Sequence, residues 1–190
     1  MNAVFQAAID LQAFCREQEW RFCLIGGLVV GRWAEARLTA DADLTLMTGW
    51  GAEEMFADKL LSRFTPRRSN ERVLAVRTRV AFLRHDNGVK LDVAFGAIPF
   101  EERCVARATP WRRAPGVELL TCSAEDLIVH KAFAARHRDW GDIESIVGTQ
   151  RTKLDTRQIL DELGPLVELQ ERPETIEQLT KIFRRFGLKV

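Results

Sequence analysis

Two short stretches of the chain combine acidic residues with a strict alternation of polar and apolar side chains. They are Asp41-Ala42-Asp43-Leu44-Thr45-Leu46 and Val89-Lys90-Leu91-Asp92-Val93. In an extended strand successive side chains point to opposite faces. Asp41, Asp43 and Thr45 then share one face, and Lys90 and Asp92 share one face of the other stretch. If the two strands are neighbours, three carboxylates converge. Ionised carboxylates about 5 Å apart repel by roughly 3 kcal/mol per pair at an effective dielectric near ~20, so such a group persists only with a proton or a cation. Mg²⁺ or Mn²⁺ suits it. These ions take oxygen donors and complete their shell with water and phosphate, whereas zinc would look for imidazole or thiolate, which these positions lack. A solvated strand face, or an ion pair such as Lys90 with Asp43, explains the same letters without chemistry.

Upstream, Gly26-Gly27 lies on a strand-to-helix turn, with thirteen residues between it and Asp41. Two glycines let backbone N–H groups approach a phosphate closely, and a following helix N-terminus adds a favourable partial charge.

The elements that must position these residues are read from periodicity. The spacing predicts a helix over Val4–Glu17, a strand over Arg21–Ile25 and a helix from Leu28. A strand follows over Ala42–Met47, then a helix over Ala52–Phe64 closed by Thr65-Pro66. Two β-rich runs, Val73–Val76 and Arg79–Arg84, lead to Asn87-Gly88, a strong hairpin signal, with Val89–Phe95 as the partner strand. Gly116–Leu120 reads as a further strand. Ser123-Ala-Glu-Asp126 opens a helix through Ala135. Helices are expected over 141–150, 156–170 and 175–186, with Gly164-Pro165 and Pro173 as punctuation. The expected class is α/β (α+β): a mixed sheet flanked by helices in residues 1–122 and a helical region in 123–190 packed on that core.

At 190 residues and 46% hydrophobic content the chain can bury a real core. Its formal charge of +1 neither demands nor excludes a nucleic-acid partner, so local patches must decide. No apolar run approaches the roughly 20 residues that span a bilayer, and the start lacks the basic region and cleavage site of a secretory signal. A cytoplasmic protein without membrane attachment is expected. Cys15, Cys23, Cys104 and Cys122 form no C-x-x-C pair and read as buried free thiols rather than disulfides or zinc ligands.

The order of parts (strand, Gly26-Gly27, helix, strand with Asp41-Ala42-Asp43-Leu44, hairpin, strand with Lys90-Leu91-Asp92-Val93) resembles the DNA polymerase beta-like nucleotidyltransferase superfamily. Arg37-Leu38-Thr39-Ala40-Asp41-Ala42-Asp43 and the segment from Ser123 through Lys131, Arg138, Asp139 and Asp142 to Ile143 are similar to the AbiEii-type branch. These are toxins of abortive-infection and toxin–antitoxin systems, among them the MenT toxins. The resemblance covers most of residues 20 to 150. It implies a nucleotidyltransferase-type sheet core with Asp41, Asp43 and Asp92 as catalytic metal ligands. It further implies an NTP co-substrate cradled by Gly26, Gly27 and Lys131, a tRNA 3′ end as nucleic-acid acceptor, and a cognate antitoxin as partner. Some toxins of the branch have Gly-Ser where this chain has Gly26-Gly27, so no serine role carries over.

Arg37 and Thr39 precede the acidic strand and could brace the acids or contact phosphate. Lys90, Arg138 and Asp139 could support the site, although Asp139 as a helix cap and Asp142 paired with Arg138 account for their spacing structurally. Arg67-Arg68 with Arg72, Arg112-Arg113, and Arg136 with Arg138 are candidate polyanion contacts. Besides metal-dependent transfer of NMP from an NTP to an acceptor hydroxyl, three readings stay open. One is a catalytically silent antitoxin or binding module, another an enzyme modifying a protein or small-molecule hydroxyl. The last is a nuclease or phosphohydrolase, which the Gly-Gly turn disfavours because hydrolysis needs no triphosphate cradle.

Overall fold

The computed structural model describes residues 2–114 and 117–189. Met1 and Gly116, which entered the readings of the chain start and of the last strand, lie outside the described residues. By its internal contacts the chain divides into two units, Met1–Leu28 with Leu38–Cys122 and Val29–Arg37 with Ser123–Val190.

The first unit is built on a seven-stranded sheet of order β3-β4-β5-β2-β1-β7-β6. Its strands are β1 (Phe22–Ile25), β2 (Asp41–Met47), β3 (Thr65–Pro66), β4 (Val80–Arg84), β5 (Lys90–Gly96), β6 (Thr109–Ala114) and β7 (Val117–Thr121). Its helices are α1 (Ala3–Glu17), the opening of α2 (Gly26–Trp33), α3 (Glu53–Arg63), α4 (Glu71–Thr78) and α5 (Pro99–Arg107). The sheet is mixed: β2 runs parallel to β5 and β1 to β7, while the pairs β1/β2, β4/β5, β3/β4 and β6/β7 are antiparallel. The β4–β5 hairpin turns at Gly88, whose φ of +88° is open to glycine at no steric cost.

Alternation decides which face is buried. Ala42, Leu44 and Leu46 on β2 and Leu91, Val93 and Phe95 on β5 are all buried, which fixes the register of both strands and turns the acids to the other face. Helix α1 buries Val4, Ala7, Ala8, Leu11 and Cys15 at helical spacing. Its buried Gln12 amide donates to the Glu118 carbonyl at 2.6 Å and accepts from the Leu120 N–H at 2.9 Å, so a side chain satisfies strand groups of β7. All four cysteines are free and buried, and burial pushes the Cys15 thiol up to about 12.

Some elements differ from the reading of the sequence. Val73–Val76 is part of helix α4, not a strand: Val73 is exposed, and the helix is tied down by the buried Glu71, whose carboxylate accepts the Phe82 N–H at 2.7 Å. Tertiary anchoring here overrides the β preference of two valines. Residues 99–114, which lacked clear periodicity, form α5 and β6. The helix expected over 156–170 forms and runs through Pro165, which is exposed, so that the missing N–H falls on the solvent side.

The second unit comprises the end of α2 with α6 (Ala124–Ala134), α7 (His137–Gln150), a 3₁₀ turn (Arg151–Lys153), α8 (Thr156–Leu169) and α9 (Glu174–Arg185). Ser123 caps α6 by accepting the Asp126 N–H at 3.0 Å, and Asp155 caps α8 by accepting the Gln158 N–H at 2.9 Å. Leu127, Ile128, Ile143, Ile146, Ile159, Leu163, Leu179 and Phe183 form its core. Among the described residues no helix is long and apolar enough to cross a membrane.

Candidate active site

The parallel pairing of β2 with β5 sets Asp43 directly beside Asp92 and Asp41 beside Lys90. Asp41, Asp43 and Asp92 therefore share the face opposite the core, on adjacent strands, all three half-buried. Lys90 is exposed at the start of β5. Antiparallel pairing of β1 with β2 brings Ile25 opposite Asp43, and the next residue is Gly26, with φ +73°. A Cβ at Gly26 would lie 1.9 Å from Asp43 Oδ2, and the Gly27 N–H points to the same oxygen at 3.4 Å. Only glycine leaves room for the carboxylate against this turn. The opening of α2 then offers Asp43 the positive end of the helix. Thr39 donates its hydroxyl to the Asp41 carbonyl at 3.3 Å, steadying the entry to β2.

Two polar atoms on this strand are buried and lack a hydrogen-bond partner: Asp41 Oδ1 and, two positions past Asp43, Thr45 Oγ1. Orphaned buried oxygens are costly and uncommon, and an all-oxygen, carboxylate-led donor set fits Mg²⁺ or Mn²⁺ with one or two protein carboxylates. As the side chains stand, no group of three His, Cys, Asp or Glu residues among those described is gathered closely enough to hold a metal ion. One contact at the third acid bears on this. Arg67 donates to Asp92 Oδ1 at 2.7 Å, with the arginine 19% and the aspartate 31% exposed.

Lys131, Asp139, Asp142 and Arg37 form a cluster within the second unit. The buried Lys131 ammonium lies 2.6 Å from Asp142 Oδ2 and 3.4 Å from Asp139 Oδ1. Arg37 grips Asp142 through two bonds of 2.6 and 2.8 Å. Burial works to raise the Asp142 carboxyl, but the hydrogen bonds and charges of Arg37 and Lys131 outweigh it and hold the group below its ordinary value. The Asp142 partner is thus Arg37 rather than Arg138, because Arg37 arrives with both guanidinium nitrogens in fork geometry. Asp139 also accepts the Arg136 N–H at 3.3 Å at the start of α7, the capping role its spacing suggested. Arg138 is exposed and lines, with Glu35, Arg37, Asp142 and Ser145, a cavity of about 490 Å³.

Of the arginine groups, Arg72 is engaged by Glu54 and Asp58 and Arg112 by Glu118, so neither is an uncommitted phosphate contact. The Arg67–Asp92 and Arg37–Asp142 pairs escaped the sequence reading. Their partners are 25 and 105 residues apart, and no local spacing signals them.

The sequence matches no protein-family model, and no curated protein matches it. Solved structures do. An antigenic nucleotidyltransferase-like protein from Paracoccidioides brasiliensis superposes with a TM-score of 0.54 at 17% identity, over 93% of this chain and 92% of that one. The fold is of the nucleotidyltransferase type. The antibiotic-resistance factor ANT(2″)-Ia matches with a TM-score of 0.45 and 16% identity, over 97% of this chain and 94% of its own. A CCA-adding enzyme solved with CTP gives 0.38 and 12%, over 96% of this chain and 51% of its own.

Proposed function

We propose that the chain is a metal-dependent nucleotidyltransferase that moves NMP from an NTP to an acceptor hydroxyl. The observation that carries this reading is the register of β2 against β5, with Asp43 opposite Asp92 and a glycine turn packed on Asp43 too tightly for any side chain. Asp41 and Asp43 would hold a Mg²⁺ or Mn²⁺ ion, which, when bound with the triphosphate, offsets charge on the phosphoryl oxygens. The glycine turn packs on Asp43, and its backbone N–H groups at Gly26 and Gly27 would contact the triphosphate. Asp92 would accept the proton of the acceptor hydroxyl. The hydroxyl oxygen then forms a bond to the α-phosphorus, the P–O bond between the α-phosphorus and the bridging oxygen to the β-phosphate breaks, and pyrophosphate leaves.

Arg37, Thr39 and Lys131 join this reading as nucleotide contacts through the family resemblance, with Lys90, Arg138 and Asp139 in support. For Lys131 to serve, its ammonium must exchange Asp142 for a phosphate oxygen. The same resemblance makes the acceptor a tRNA 3′ end and the chain the cytoplasmic toxin of a toxin–antitoxin or abortive-infection system with a cognate antitoxin.

Incubating the protein with each α-labelled NTP, Mg²⁺, total RNA and total protein, for wild type and Asp41→Ala, tests the reading. Label should enter one macromolecular fraction with wild type and not with the variant; undiminished transfer by the variant removes Asp41 from the chemistry.

A further inference from the structure

Arg67 follows the short strand β3 and sits over the same sheet face as the acids. Its guanidinium carbon lies 4.8 Å from the centre of the Phe82 ring, and that of Arg68 lies 5.5 Å from it. Phe82 is itself the register partner of Asp92 on the β4–β5 pair. One half-buried ring therefore carries two cations beside the third carboxylate. The backbone under them is anchored, because the Arg67 N–H donates to the Phe82 carbonyl at 3.0 Å and the Phe82 N–H donates to Glu71. Arg72, the next arginine along, is committed to Glu54 and Asp58, so of the three arginines only residues 67 and 68 stand over this ring.

The Arg67–Asp92 bond conflicts with the role Asp92 has under the nucleotidyl-transfer reading, on which this inference rests. A carboxylate oxygen that accepts from a guanidinium has that lone pair occupied and is less open to an acceptor hydroxyl or a cation. The pair is partly exposed, so it adds little to stability and is cheap to open. A phosphate oxygen is an equal or better match for the arginine fork than a carboxylate.

We propose that Arg67 is the phosphate contact for a single-stranded nucleic-acid end, and that it masks Asp92 until an acceptor phosphate draws its guanidinium away and frees the carboxylate for the acceptor hydroxyl. A strand end suits the geometry, since it brings a terminal hydroxyl and a phosphate together within one nucleotide. A polycationic small molecule is repelled by the Arg67–Arg68 pair, and an uncharged protein hydroxyl has nothing to exchange for Asp92.

Binding is measured without NTP or metal, by fluorescence anisotropy with a short 5′-labelled single-stranded RNA over a salt series. Wild type should bind, and Arg67→Met should bind more weakly, with the slope of log K against log salt reduced by about 0.7, the contribution of one phosphate contact on a single strand. Arg67→Lys, which keeps the charge, guards against misfolding and should fall between the two. In parallel, Mn²⁺ titrations followed by electron paramagnetic resonance should show tighter binding to Arg67→Met than to wild type. Unlabelled RNA, corrected for its own Mn²⁺ binding, should raise wild-type affinity but not that of the variant. An unchanged salt slope, or equal Mn²⁺ affinity of the two proteins, overturns the proposal. Because no NTP is present, these results are separable from the transfer assay. If Asp41→Ala transfers label normally while the Arg67 results hold, the chemistry falls and the nucleic-acid contact stands. If transfer depends on Asp41 while Arg67→Met binds RNA like wild type, the reverse is true.

Discussion

On the sheet face of the first unit, three half-buried carboxylates lie on adjacent strands with an orphaned oxygen among them, whereas in the second unit Asp139 and Asp142 are buried against Lys131 and Arg37. Both clusters are rich in charge, but in the second both carboxylates meet buried or forked cations, whereas in the first Arg67 pairs with Asp92 while Asp41 Oδ1 has no hydrogen-bond partner. Carboxylates crowded on one face with a buried oxygen left unpartnered are a cost to folding, and such a group persists where a ligand supplies the balance. Charge matched bond for bond can be explained by structure alone. The two regions should therefore respond in opposite ways to neutralisation.

The largest effect is expected in the balanced cluster. Asp142→Asn leaves the buried Lys131 with Asp139 as its remaining carboxylate and Arg37 without a bidentate partner; it should cost about 3 kcal/mol of stability, read as a lower urea midpoint. Asp43→Asn should do the reverse, reducing label transfer at least about a hundredfold while leaving the midpoint equal or higher, since a like-charge repulsion is removed. A destabilised Asp43→Asn, or a neutral Asp142→Asn, would break the contrast.

Acid sharpens it. The folded-state pKa of Asp142 is lowered from 3.8, so the unfolded chain binds the proton more readily. Its stabilising contribution is then complete above about pH 4 and is lost as pH falls through the lowered folded value. Urea midpoints of wild type should drop between about pH 4 and 2 more steeply than those of Asp142→Asn, whose acid limb lacks this group. The smallest effect belongs to an exposed pair: Arg72→Ala removes the contacts to Asp58 and Glu54 and should shift stability by less than about 1 kcal/mol.

The acidic face was legible because two independent alternations, at Asp41–Leu46 and at Val89–Val93, each named its buried side, and the strands then pair so that both apolar sets are buried. The glycine turn was legible for a similar reason, since few features other than a close approach call for Gly26-Gly27 between a strand and a helix. What stayed hidden depended on distant partners. The helical state of Val73–Val76 is decided by Glu71 reaching the Phe82 N–H, and the bond of Asp142 to Arg37 joins residues 105 positions apart.

The two outermost strands, β3 and β6, each contain a proline, Pro66 and Pro110. Such a residue has no backbone donor, and β3 is only two residues long. A strand from a second molecule laid along either rim would meet a gap in the row of N–H groups it needs. The sheet is thereby closed to growth at both margins, a safeguard against fibril-like stacking that is independent of anything the acids do.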